Sequence, residues 1–143
     1  MKLKTLMLLA VVIFTLGVTL GSLAQVEPRP LLKAEIPFDF IVGGMHLPAG
    51  QYTLLHIGGP NTIMLRNAQG HGEALVRVSV SEANQQEATT MLTFTKYGGK
   101  TFLSQIWTEP DNQVHQCFKC REELMLEAQK GKPSTMTIKA TPQ

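Results

Sequence analysis

Three residues toward the C-terminal end have side chains and a spacing that could do chemistry: His115, Cys117 and Cys120. Two thiols three positions apart suit a disulfide, a redox pair or part of a metal site, and each use demands a different backbone. A disulfide needs its Cα atoms within about 7 Å, whereas residues three apart on an extended strand are separated by about 10 Å. A Cys117–Cys120 bridge, the first expectation in an oxidising compartment, therefore requires a turn or the first turn of a helix at this point. A redox pair of thioredoxin type sits between a strand and a helix of a βαβ unit, and this chain shows no such alternation. Covalent haem attachment would want histidine at position 121, where the residue is Arg121. Zinc takes four ligands; His115, Cys117 and Cys120 offer three, while His46, His56 and His71 are scattered along the chain. A structural disulfide or a pair of idle thiols is the leading reading, with redox duty or zinc as the alternative, and no other cofactor is implied.

Elsewhere the side chains point away from catalysis. No Ser-His-Asp order with a nucleophile elbow is present, and no glycine loop has the spacing of a phosphate cradle. Gly43-Gly44, Gly58-Gly59 and Gly98-Gly99 read as turns. Asp39 lies between Phe38 and Phe40, opposite the apolar set, and reads as a solvated or turn-bonded carboxylate. Glu122 and Glu123 read as a solvated helix face. Trp107 is the single tryptophan; it could be a stacking platform for a sugar, but its apolar setting, FLSQIW, favours core or rim packing. The chain is not expected to be an enzyme.

The elements that must position these residues are strands. Ala34, Ile36, Phe38, Phe40 and Val42 alternate with Lys33, Glu35, Pro37 and Asp39, the period of a half-buried strand, with Pro37 marking an edge or a bulge. Gly43-Gly44 and then Leu-Pro-Ala-Gly-Gln shape a turn, which Leu47 and Tyr52 pin to the core, before Tyr52, Leu54 and His56 resume the alternation. Short strands follow over 62–66 and 74–80, and two more over 89–97 and 101–108 flank Gly98-Gly99, a hairpin signal. Residues 119–130 are rich in helix formers and stop at Gly131 and Pro133. Strands this short, punctuated this often, predict an all-β fold: a small antiparallel β-sandwich or partly open barrel with one short C-terminal helix.

The ends of the chain are different. Lys2 and Lys4 precede an apolar run over 6–20, and Ser22-Leu23-Ala24 offers the small residues of a cleavage site, the pattern of a secretory signal peptide over 1–24. The apolar run is shorter than the roughly 20 residues needed to cross a bilayer. The organisation expected is signal peptide 1–24, extended leader 25–32, β-domain with helix 33–130 and a tail 131–143 holding at most one short strand. Of 13 basic and 11 acidic residues, Lys2 and Lys4 leave with the signal, so the processed chain is neutral. With no basic patch, binding to nucleic acid by counterion release has no support.

IPFDFIVGG, LPAGQYTL and YGGKTFLSQIW followed by REEL together resemble a family of small exported bacterial proteins of uncharacterised function. Its members share a strand ending in Phe-Asp-Phe, a Leu-Pro-Ala-Gly-x-Tyr turn and a Tyr-Gly-x-x-x-Phe-Leu-Ser-x-x-Trp hairpin. The resemblance spans 33–128 and implies a compact β-domain outside the cytoplasm, without bringing an active site. Cys117-Phe118-Lys119-Cys120 departs from the family pattern.

The reading is an exported module, periplasmic or extracellular, that binds an envelope protein or surface ligand or serves structurally, with no membrane contact after processing. The alternatives are a thiol-redox or metal-binding protein built on Cys117 and Cys120, and a carbohydrate-binding module using Trp107.

Overall fold

The computed structural model describes residues 27–69, 73–84 and 89–143; the expected signal peptide and His71 lie outside them. In chain order the elements are β1 (Arg29–Ile36), β2 (Phe40–Val42), β3 (Met45–Leu47), β4 (Gly50–His56), β5 (Thr62–Asn67), β6 (Glu73–Glu82), β7 (Met91–Tyr97), β8 (Lys100–Thr108), β9 (Gln113–Cys117), α1 (Arg121–Lys130), β10 (Ser134–Lys139) and β11 (Thr141–Pro142). The all-β expectation holds, with one short helix. No helix among the described residues is long and apolar enough to cross a membrane.

Nine of the eleven strands among the described residues follow one path, β10-β7-β8-β9-β6-β5-β4-β1-β11; β2 and β3 lie off it as an antiparallel hairpin. Strand β6 is long enough to serve two sheets: Glu73–Arg77 pairs with β5, and Val78–Glu82 pairs with β9. The path folds back on itself there, and the two wings close over a shared core. That core takes Leu32, Ala34 and Ile36 from β1, Tyr52 and Leu54 from β4, Leu92 and Phe94 from β7, and Leu103 and Ile106 from β8. Fully burying one such side chain contributes about 1.5–3 kcal/mol. Phe94 anchors it, meeting Phe38 and Phe40 edge to face at ring separations of 5.0 and 5.6 Å.

Four details depart from the expected layout. The pairing is not wholly antiparallel, because β2 runs parallel to β8 through Ile41 and Phe102. The strand expected to run unbroken to Val42 stops at Ile36 and resumes at Phe40. Pro37, lacking an N–H, ends the ladder, and Asp39 accepts a hydrogen bond from the Ala49 N–H at 2.9 Å. Residues 29–32, expected as leader, already belong to β1, which pairs with β4. The tail holds two strands rather than one: β10 extends the ladder beyond β7, and β11 pairs with β1 at the far end of the path. Only Ala140 separates them, so the C-terminal segment spans the gap between the two edges. β10 and β11 do not pair with each other, and the sheet is not closed into a barrel.

The turn after β3 is built as its residues suggest. Leu47 is buried, and the buried Tyr52 donates its hydroxyl to the Pro48 carbonyl at 2.6 Å. Gly98 has φ +62 in the two-residue turn between β7 and β8, the left-handed conformation that a primed hairpin turn needs and glycine tolerates.

Candidate functional site

Strand register decides what each face presents. Opposite the core, β10, β7, β8, β9 and β6 bring Thr137, Thr93, Gln105, Gln116 and Ser79 into one row. The next row holds Lys139, Met91, Trp107, Val114 and Ser81. This outer face is dominated by uncharged amides and hydroxyls. A shift in register between Thr93 and Phe94 sets Ser104 aside, so Leu103 and Ile106 both reach the core while Gln105 and Trp107 remain outside.

Helix α1 covers only one end of this face. Leu126 and Cys120 pack on Ile41, Tyr97 and Phe102, a second apolar cluster separate from the main core. Between the helix and the uncovered part lies a groove of about 280 Å³, lined among others by Thr93, Thr95, Gln105, Gln116, Lys119 and Thr135. Its floor is fixed in place. Gln105 donates to Gln116 at 2.8 Å, Gln116 donates to the Ser104 carbonyl at 3.2 Å, and Ser104 donates to the Thr93 carbonyl at 2.9 Å. On the wall, Lys119 pairs with Glu127 at 2.5 Å, so the groove carries no uncompensated charge from this pair. Trp107 lies half-buried in the adjoining row and belongs to neither apolar cluster. It is rim, not core, and among the described residues nothing accepts a hydrogen bond from its buried indole N–H.

The cysteines are not brought together. Both are free. Cys117 ends β9 inside the main core, where burial pushes its thiol up to about 12, far from the range of a reactive thiolate. Cys120 immediately precedes α1, its carbonyl accepting the Leu124 N–H, and packs against the second cluster. The expected bridge is thus not formed: Cys120 still has extended backbone, the helix starting only at Arg121, and the two side chains enter different apolar clusters.

His115 does not join them as a metal ligand either. It lies on the core side of β9, fully buried, and meets His56 from β4 with ring centroids 5.2 Å apart. Burial lowers both histidines below the ordinary imidazole range. Asp111 opposes the shift at both, while Arg29 adds to it at His56 and His56 adds to it at His115. His46 is on the surface, paired with Glu122 at 3.2 Å. Among the described residues no three His, Cys, Asp or Glu side chains converge as metal ligands.

The helix carries one correction to the sequence reading. Glu122 is on the solvent side, held below the usual carboxylate range by Lys100 and then by His46. Glu123 is buried, at 4% exposure, and burial raises it above that range against the pull of Lys119. The helix turns Glu123 and Leu126 inward, one turn apart, and leaves Leu124 and Met125 exposed.

The polar row, the histidine pair and the buried glutamate all escaped sequence reasoning. The row had a signal, the alternation of Thr93, Gln105 and Gln116 with apolar residues, but nothing to set their register. The pairing of His56 with His115 joins residues far apart in sequence and had none. No protein-family profile, curated protein or solved structure matches the chain.

Proposed function

We propose that this is a non-catalytic binding module, exported to the periplasm or beyond, that holds an uncharged, hydroxyl-rich ligand such as a glycan in the groove beside α1. One observation carries the reading: the row Thr137, Thr93, Gln105, Gln116 and Ser79 places five uncharged hydrogen-bonding side chains on one face. A ligand of this kind is bound by convergent donors and acceptors with an aromatic surface at hand. The Gln105–Gln116–Ser104 chain holds the amides in place before the ligand arrives, which limits the ordering cost of binding. The thiol-redox alternative would need a reactive thiolate, whereas the buried Cys117 has its thiol pushed up to about 12.

Binding of soluble oligosaccharides and cell-wall fragments, followed by calorimetry, tests this. Gln105→Ala and Trp107→Ala should each weaken binding roughly tenfold, the effect of removing a good hydrogen-bonded or stacked contact. Glu73→Ala, on the opposite wing, should not change it. Equal affinity in all four proteins would remove the groove from consideration.

A further inference from the structure

We infer that His56 and His115 together form a binding site for one divalent transition-metal ion of zinc type. The two residues end up on the facing core sides of β4 and β9, so their rings meet inside one end of the sandwich, at 5.2 Å and 47°. His115 is fully buried, and neither of its ring nitrogens makes a hydrogen bond of good distance and angle, although the backbone of Ile106 lies beside the ring; the buried Nδ1 of His56 is likewise without a well-formed bond, with the backbone of Thr62 beside that ring. Buried polar atoms left bare in this way are costly and uncommon. One ion ligated by a nitrogen from each ring would satisfy two of the three, leaving the second nitrogen of His115 beside the backbone of Ile106.

The spacing fits a metal. Zinc sits about 2.0–2.1 Å from an imidazole nitrogen, and two imidazoles on one tetrahedral ion hold their ring centres roughly 5 Å apart. Imidazole pairs suit zinc, copper and nickel in preference to magnesium or calcium. On the His56 side the pair borders solvent: a cleft of about 880 Å³ is lined by His56 together with Arg29, Pro30, Gly58 and Pro60. Asp111 places a negative charge near enough to act on both rings, and Arg29 opposes it at His56. With no third converging protein ligand among the described residues, water completes the coordination. The site is therefore an open, reversible one, not a structural zinc centre. It keeps His115 from the His115, Cys117 and Cys120 set expected from the sequence but neither thiol, since the two lie in separate apolar clusters.

The test is a calorimetric titration of the tag-free protein with zinc chloride, repeated on variants. One ion should bind per chain at micromolar affinity. His56→Ala should weaken binding at least about tenfold, and His46→Ala should leave it unchanged. Because a His115 variant could fail to fold, the wild type supplies a second readout: zinc should shift the ring ¹⁵N resonances of both His56 and His115 and fix their tautomers. Absence of binding at millimolar zinc, unchanged affinity in His56→Ala, or unmoved His56 and His115 signals would each overturn the site.

Discussion

Gly43→Ala is the sharpest test of how the β2–β3 hairpin is held. Gly43 has φ +57, and a Cβ built on it falls 2.5 Å from the backbone carbonyl oxygen of Leu75 on β6. Two costs follow. Holding alanine in the left-handed region takes about 1–2 kcal/mol. Forcing a methyl against a backbone atom that cannot swing aside adds about 1–3 kcal/mol, as overpacking does. The sum, roughly 2–5 kcal/mol, corresponds to a fall in Tm of roughly 8–20 °C for a domain of this size. Gly44→Ala is the internal control. Its φ is +82 but nothing lies within 4 Å of the added carbon, so only the first cost applies, roughly 4–8 °C. Thermal unfolding of both variants by circular dichroism gives the comparison. If Gly43→Ala melts no lower than Gly44→Ala, the close approach of this turn to β6 is refuted, and with it the packing of β2 onto the second wing.

Further outcomes follow from the same structure. Tyr52→Phe removes the hydroxyl that donates to Pro48 and should cost about 0.5–1.5 kcal/mol in urea unfolding, with binding in the groove unchanged. Glu123 is raised above the usual carboxylate range by burial, so the folded state favours its protonated form; that contribution is complete below the unfolded pKa and is lost as pH rises through the folded one. Glu123→Gln should therefore melt above wild type at pH 7, with the gain vanishing near pH 4; a gain that persists at acidic pH contradicts the burial. Thiol titration without reductant should find two thiols in denaturant and, in the native protein, one that reacts (Cys120) and one that is protected (Cys117). Finding no thiols in denaturant would mean the bridge exists.

Much of the architecture was legible because period-two alternation reports burial directly. Ala34, Ile36, Phe40 and Val42 were expected on one face and all enter the main core; the break at Pro37 does not move them off it. The turn at Leu47–Tyr52 and the Gly98-Gly99 hairpin could be read for a similar reason, since each rests on local chemistry. What escaped was set by long-range register. Nothing local says that β6 divides itself between two sheets, or that β11 returns to β1. Nor does the sequence show that Glu123, in a run that reads as a solvated helix, is turned against the sheet. The candidate site suffered most. Trp107 reads from the sequence as a platform or as core or rim packing, and it is half-buried beside a row of amides whose alignment depends on the register of five strands. Likewise, His115 was noted for its nearness in sequence to Cys117, while its actual neighbour, His56, arrives from the opposite wing.

The outer-face groove is the centre of the functional account, and Trp107 reports on it from the next row. Its fluorescence, measured with acrylamide quenching while oligosaccharide is added, is the most direct test. The account predicts partial quenching of the free protein, protection and a blue shift as ligand binds, and loss of the response in Gln105→Ala. Emission that is strongly blue-shifted and shielded from acrylamide before any ligand is added, and unaltered afterwards, would contradict it.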